Sequence, residues 1–134
     1  MGREGGAGRT EPAGGAIGVK RVYLPPAPSD GLRILVDRLW PRGLAKAEAA
    51  IDEWAKEIAP SHELRRTFHG HPERWEEFLA RYRDELKDRG DALDALLASA
   101  VDERLTLLFA ARDEARNNAV ALKAILDDRL AARD

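Results

Sequence analysis

The residues best suited to chemistry lie in one segment, DRLWPRG, at positions 37–43. The segment supplies a carboxylate at Asp37, guanidinium groups at Arg38 and Arg42, and an indole at Trp40. Guanidinium groups present forked donors that match the oxygens of phosphates and carboxylates. We therefore predict Arg38, Trp40 and Arg42 as residues that bind an anionic ligand.

A second polar cluster also follows directly after an apolar run. Residues 104–111 are typical of a buried strand, and the sequence RDEARNN follows them. In the same way, residues 32–36 are typical of a buried strand and precede the first cluster. In open α/β sheets, ligands bind outside the carboxyl ends of the strands. If the two runs are parallel neighbours, both clusters meet at one edge, where the start of a helix also favours an anion. This predicts Arg112, Asn117 and Asn118 as further ligand-binding residues.

Asp37 and His69 are the candidate acid–base groups of a catalytic site. Histidine titrates near neutral pH, and a carboxylate at a strand end is placed to take up a proton. An alternative stays open in which Asp37 pairs with a neighbouring arginine and only fixes the loop. The His-Gly-His segment at 69–71 has no third ligand at a diagnostic spacing, so no metal site is predicted. No nucleophile, phosphate-loop or dinucleotide motif is present, so the sequence decides neither enzymatic activity nor a cofactor.

Composition limits the class of protein. The chain has 134 residues, a length that suits one domain rather than two. The net charge of −2 argues against nucleic-acid binding by bulk electrostatics, although a local basic patch keeps a nucleic-acid partner open. The absence of cysteine excludes disulfides and thiolate catalysis. With no apolar run near the ~18 residues of a membrane span and no signal-peptide core, we expect a cytoplasmic protein without a membrane partner.

The pattern of elements predicts an α/β fold, either a two-layer or a three-layer sandwich, with a short, mainly parallel sheet and flanking helices. The glycine-rich residues 1–16 are expected to be a disordered tail before a single domain at 17–134. Strands are predicted at 17–23, 32–36 and 104–111, and helices at 45–50, 52–58, 63–68, 72–87, 92–100 and 115–131. Ser61 and Asp91 are the predicted N-caps of two of these helices.

Short motifs outside the two clusters add a family resemblance. They are DEW at 52–54, APS at 59–61, FH at 68–69, PERW at 72–75 and NNAVAL at 117–122. Together with the strand and its DRLWPRG segment, they make residues 19–130 resemble the YeaO-like family of uncharacterised bacterial proteins, part of a larger domain-of-unknown-function group. The resemblance implies a compact α/β fold and supplies no reaction. Arg112-Asp113 stands where relatives often show Lys-Asp, and Arg116 where they often show histidine.

Three interpretations remain open on the sequence. In the first, the protein binds or acts on a phosphorylated small molecule such as a nucleotide, and the arginines would line a concave pocket. In the second, it is a noncatalytic regulatory module that contacts protein or nucleic acid through an exposed ridge at Trp40 and Arg42. In the third, the arginines pair with carboxylates and only fix the loop. The sequence does not predict the oligomeric state.

Overall fold

The computed structural model describes residues 16–132. Its strands form one sheet and are β1 (Ile17–Arg21), β2 (Leu32–Leu35), β3 (Glu53–Trp54) and β4 (Leu105–Phe109). The order across the sheet is β1-β4-β2-β3, and every neighbouring pair is parallel. The two buried strands β2 and β4 are therefore parallel neighbours, and their carboxyl ends lie at the same edge of the sheet.

The helices of the described region flank this sheet. They are α1 (Lys46–Ala49), α2 (His62–Phe68), α3 (Trp75–Glu85), α4 (Gly90–Asp102) and α5 (Asn118–Ala131). Short 3₁₀ turns occupy 28–30, 56–58, 72–74 and 86–89. This architecture confirms the predicted small α/β fold with a short parallel sheet. No helix between residues 16 and 132 combines the length and apolar character needed to cross a membrane.

The two faces of the sheet are covered by different parts of the chain. Side chains alternate along a strand, so Ile34 and Leu107 face the main core that the sheet shares with the helices. Leu35 and Leu108 point the other way, into a smaller cluster. That cluster is completed by Trp40, Leu44 and Ile51 from the loops around α1 and by Trp54 of β3. Cover on both faces accounts for the almost continuous apolar character of β2 and β4.

The amino ends of the strands are closed by a buried ionic network. Arg33 on β2, only 4% exposed, donates through Nη1 to Asp30 at 2.5 Å. Its Nε and Nη2 atoms donate to the main-chain oxygens of Ala50 and Ala49, both at 2.9 Å. Lys20 on β1 adds a second cation 3.0 Å from the Asp30 carboxylate. The network holds the β1–β2 loop and the end of α1 against the sheet.

The start of α2 is anchored on α3. The prediction that Ser61 caps α2 is confirmed, because its Oγ accepts a hydrogen bond from the Leu64 N–H at 3.0 Å. The same hydroxyl donates to Glu85 at the end of α3. Tyr82 of α3 is fully buried and donates to the Ile58 main-chain oxygen at 2.5 Å. These contacts orient α2 so that its later residues reach the carboxyl edge of the sheet.

The predicted helix at 52–58 is wrong. Glu53 and Trp54 instead pair with β2 as a short edge strand, and a 3₁₀ turn follows at 56–58. A further hydrogen bond on this edge runs from the Ala55 N–H to the Leu35 oxygen at 2.9 Å. The local pattern could not reveal that β2 has an open edge, which tertiary contact fills and which overrides helix propensity.

Several other boundaries also differ from the sequence prediction. Asp91 is not the N-cap of α4, because the helix begins one residue earlier, at Gly90, whose φ of −56° and ψ of −39° are helical. Glycine permits a helix stop but does not impose one. The first strand ends at Arg21, and the last helix starts at Asn118. Residues 1–15 of the predicted tail lie outside the described residues.

Candidate functional site

A cavity of about 980 Å³ opens at the carboxyl edge of the sheet, beyond β2 and β4. Its lining comes from the ends of both strands, the start of α5, and the turn that joins α2 to α3. The residues are Arg21, Tyr23, Asp37, Arg42, Arg65, Phe68, His69, Gly70, His71, Pro72, Trp75, Phe78, Ala110, Ala111, Arg112, Asp113, Arg116, Asn117 and Asn118. Six of the eight predicted site residues therefore meet around one space, and only Arg38 and Trp40 lie outside the lining.

Asp37 ties together the three elements that form the cavity floor. Its Oδ1 accepts a hydrogen bond from Asn118 Nδ2 at 2.7 Å, and its Oδ2 accepts one from the Ala110 N–H at 3.0 Å. Asn118 Nδ2 also donates to the Val36 oxygen at 2.7 Å. Burial raises the pKa of Asp37, and the two hydrogen bonds and the charge of Arg65 offset that effect only in part. The carboxyl group thus joins β2 to β4 and α5.

Asn117 shapes the start of α5. Its side chain accepts a hydrogen bond from the Val120 N–H at 2.9 Å as the N-cap, and donates to the Asp113 oxygen at 2.8 Å. The Asp113 carboxylate accepts bonds from the N–H groups of Arg116 and Ala115 at 3.0 and 2.9 Å. These bonds lower the pKa of Asp113. The loop between β4 and α5 is therefore fixed by its own polar side chains.

Five arginines line the cavity, but its lining contains only two carboxylates, Asp37 and Asp113. Arg21 is partly engaged, because its Nε donates to the Ala111 oxygen at 3.0 Å and its guanidinium lies 5.0 Å from the centre of the Tyr23 ring. The other four are Arg42, Arg65, Arg112 and Arg116, and all four are exposed. Within residues 16–132, none of the five forms an ion pair with a carboxylate. The cavity therefore carries an excess of positive charge.

Three of these arginines were not predicted from the sequence. Arg21 ends an edge strand and Arg65 lies on α2, so both reach the cavity only through the tertiary fold. Arg116 lies inside the RDEARNN segment, and the concentration of charge there could have identified it. His71 also lines the cavity, and its Nδ1 lies 3.2 Å from Glu73.

Arg38 and Trp40 hold the DRLWPRG loop in place. Arg38 donates through Nε to the Pro60 oxygen and through Nη2 to the Ala59 oxygen, both at 3.0 Å. Trp40 packs edge-on against Trp54, with ring centres 5.5 Å apart, and its Nε1 donates to the Leu44 oxygen at 2.7 Å. The tryptophan is half-buried and does not form the exposed ridge that the interaction-module interpretation needs.

Phe68 of α2 and Trp75 and Phe78 of α3 form an aromatic wall of the cavity. Trp75 stacks on Phe78, with ring centres 5.7 Å apart and an interplanar angle of 25°. Phe68 meets Phe78 edge-on at 5.9 Å. Gly70, in the turn between the two helices, has a φ of +79°, which a glycine adopts without strain. The cavity lining therefore combines cationic and aromatic side chains.

The family of the chain follows from a comparison with family models. The model described as the inactive DUF488-N3 subclade matches residues 16–134. The chain belongs to this subclade. It is 47% identical to the uncharacterized protein YeaO of Escherichia coli K12 over 106 residues, which cover 79% of this chain and 92% of the relative. This confirms the resemblance that the sequence motifs indicated.

A second relative comes from Mycobacterium tuberculosis H37Rv. The uncharacterized protein Rv3073c is 42% identical over 113 residues, which cover 84% of this chain and 95% of the relative. No solved structure gives a significant match.

The cavity of this member of the inactive DUF488-N3 subclade offers guanidinium groups as hydrogen-bond donors. Asp37, by contrast, already accepts two hydrogen bonds. Within the described region, no three histidine, aspartate or glutamate side chains are grouped so that they could hold a metal ion.

Proposed function

We propose that this protein binds a phosphorylated small molecule, of the nucleotide class, in the cavity at the carboxyl edge of its sheet. The observation that carries the proposal is the charge of the cavity lining, which contains five arginines but only two carboxylates. An anion is the natural counterpart of guanidinium groups that have no carboxylate partner in the described structure.

The position of Arg112 and Arg116 supports a phosphate site at the start of α5. Both belong to the loop between β4 and α5, so their side chains line the cavity near the first turn of α5. The start of a helix carries a partial positive charge and presents N–H groups that donate hydrogen bonds to a phosphate oxygen. Arg42 adds a third guanidinium from the β2 side of the same cavity.

The aromatic wall favours a nucleotide over inorganic phosphate. Trp75 is half-buried and lines the cavity, so part of its surface is available to a ring on the ligand. Aromatic rings stack in offset or edge-on arrangements that add stability beyond simple burial. The cavity volume of about 980 Å³ is also large for a single phosphate and lies near the upper end of small-ligand sites.

We further propose that binding is noncatalytic. Both oxygens of Asp37 already accept hydrogen bonds, so the carboxyl group is suited to ordering Asn118 and the end of β4. Arg116 is a fixed cation, which cannot act as an acid–base group at neutral pH. The description of the subclade as inactive agrees with this proposal. The acid–base roles of Asp37 and His69 stay predictions.

A thermal-shift screen tests the proposal directly. The wild-type protein and Arg112→Ala are heated with nucleotides, sugar phosphates and inorganic phosphate, and Arg89→Ala serves as the control because Arg89 is exposed and outside the cavity. A ligand at about a hundredfold its Kd should stabilise the wild type by about 2.7 kcal/mol. The shift should persist in Arg89→Ala and disappear in Arg112→Ala. Equal shifts in all three proteins, or none with any phosphorylated compound, would contradict it.

A further inference from the structure

A stripe of two arginines and two histidines leads out of the cavity along α2. His62, Arg65 and Arg66 lie on α2 at a spacing that places them on one side of the helix, and His69 follows as its C-cap. All four are exposed, and together they line a second, shallower cavity of about 240 Å³. Arg65 and His69 also line the cavity at the sheet edge, so the two spaces are contiguous.

Arg65 and Arg66 are the fixed cations of this stripe. Within residues 16–132, no ion pair joins any of the four side chains to a carboxylate. The two guanidinium groups are therefore available to the phosphates of a polyanion.

The length of the stripe indicates more than one phosphate. From residue 62 to residue 68, α2 rises about 9 Å, since each residue adds about 1.5 Å. This length exceeds the size of one phosphate group, so a strand with consecutive phosphates can contact the stripe at more than one point. A single phosphate group would contact only part of it.

We propose that the ligand is a phosphorylated end of a single-stranded nucleic acid. This inference rests on the proposed function. The terminal nucleotide occupies the cavity at the sheet edge, with its base against the Trp75 wall, and the following phosphates lie along the α2 stripe. Aromatic platforms beside a basic groove are the usual means of holding single strands. The net charge of −2 confines this binding to one local surface.

Fluorescence polarisation with a short, 5′-phosphorylated, single-stranded oligonucleotide tests this proposal. DNA and RNA versions are both used, and the matching nucleoside monophosphate serves as competitor. Arg66→Glu alters the stripe alone, since Arg66 does not line the larger cavity. Arg112→Ala alters the larger cavity alone. Arg89→Glu is the charge-matched control, because Arg89 lines neither cavity.

The oligonucleotide should bind the wild type more tightly than the monophosphate does. Arg66→Glu should weaken oligonucleotide binding about tenfold, with a smaller salt dependence, and leave monophosphate binding unchanged. Arg112→Ala should weaken binding of both the oligonucleotide and the monophosphate. Arg89→Glu should weaken the binding of neither. Circular dichroism of each variant checks that the fold is retained.

The outcomes separate the two proposals. If monophosphate and oligonucleotide bind equally and Arg66→Glu changes neither affinity, the stripe proposal is overturned and the proposed function stands. If neither probe binds the wild type, both are overturned. If the oligonucleotide binds but Arg112→Ala has no effect, the cavity is not the site and both assignments to it fail.

Discussion

Asp30 and Asp37 lie at opposite ends of one parallel sheet, and their surroundings differ in kind. Burial alone would raise the pKa of Asp30, but hydrogen bonds from the Ala27 N–H, Lys20 and Arg33 together outweigh it and lower the pKa. Burial raises the pKa of Asp37, and its hydrogen bonds offset that effect only in part. No arginine forms an ion pair with Asp37 in the described structure.

The arginines at the two ends of the sheet also differ in whether they have partners within the protein. Arg33 is buried, and each of its three guanidinium nitrogens donates to an oxygen of the protein. Arg42, Arg112 and Arg116 are exposed at the cavity and have no carboxylate partner among residues 16–132. A buried cation whose guanidinium nitrogens all donate within the protein stabilises the fold, whereas exposed cations around a cavity are available to a ligand. The amino end of the sheet thus has a structural network, and we propose that the carboxyl end binds a ligand.

The largest expected effect is that of Arg33→Met. The substitution leaves the Asp30 carboxylate with one cation and leaves two main-chain oxygens without their donor. Breaking a buried ion pair from one side costs about 3–5 kcal/mol of unfolding free energy. Urea unfolding followed by circular dichroism measures the loss. A loss of unfolding free energy below about 1 kcal/mol would show that Arg33 contributes no more than a surface arginine. The contrast between Arg33 and the exposed arginines of the cavity would then disappear.

A smaller effect is expected for Asp37→Asn. Two N–H donors converge on the two Asp37 oxygens, and an asparagine side chain offers only one acceptor. The unmatched donor should cost about 1–3 kcal/mol, again measured by urea unfolding. If removal of the buried charge were the dominant effect, Asp37→Asn would instead raise the unfolding free energy, and this prediction would be wrong.

The opposite pKa shifts predict opposite pH dependences. The stabilising contribution of Asp30 is present above its unfolded-state pKa and is lost as pH falls through its lowered folded-state pKa. The Asp37 charge is unfavourable in the folded state, so acidification through its raised folded-state pKa relieves that cost. On acidification, the unfolding free energy of the wild type should therefore fall relative to that of Asp30→Asn and rise relative to that of Asp37→Asn. Both differences are measured from neutral to acidic pH. If the two differences changed with pH in the same direction, the contrast between Asp30 and Asp37 would be contradicted.

The smallest effect on stability is expected for Arg42→Met, the counterpart of Arg33→Met. Arg42 is exposed, and its side chain has no ion-pair partner in the described region, so the unfolding free energy should change by less than about 0.5 kcal/mol. Affinity for a phosphorylated ligand should fall all the same. Stability and ligand affinity are measured on the same preparation. A loss of several kcal/mol would place Arg42 among the structural arginines.

The sequence predicted the fold and much of the cavity because both depend on local patterns. The apolar runs of β2 and β4 and the polar residues after them pointed to one sheet edge, and Arg42, Arg112 and Asn118 line the cavity found there. Arg38 could not be separated from Arg42 by residue type alone. Its donors reach the oxygens of Ala59 and Pro60, a contact that only the folded chain creates.

The residues that sequence reasoning missed have a common cause. Arg21 and Arg65 come from an edge strand and a short helix, and they approach the cavity because β1 pairs with β4 and α2 is anchored on α3. No spacing along the chain reports those contacts. Strand β3 was missed for the same reason, because the open edge of β2, rather than its own sequence, makes it a strand.

The most direct test of the central claim is a calorimetric titration of the wild-type protein with nucleoside 5′-monophosphates and with the same nucleosides lacking phosphate. We expect saturable binding of a monophosphate and no measurable binding of its nucleoside, because the open arginines at the carboxyl edge recognise the phosphate. Equal binding of the two forms, or no binding of any monophosphate, would contradict the assignment of that edge to anion recognition.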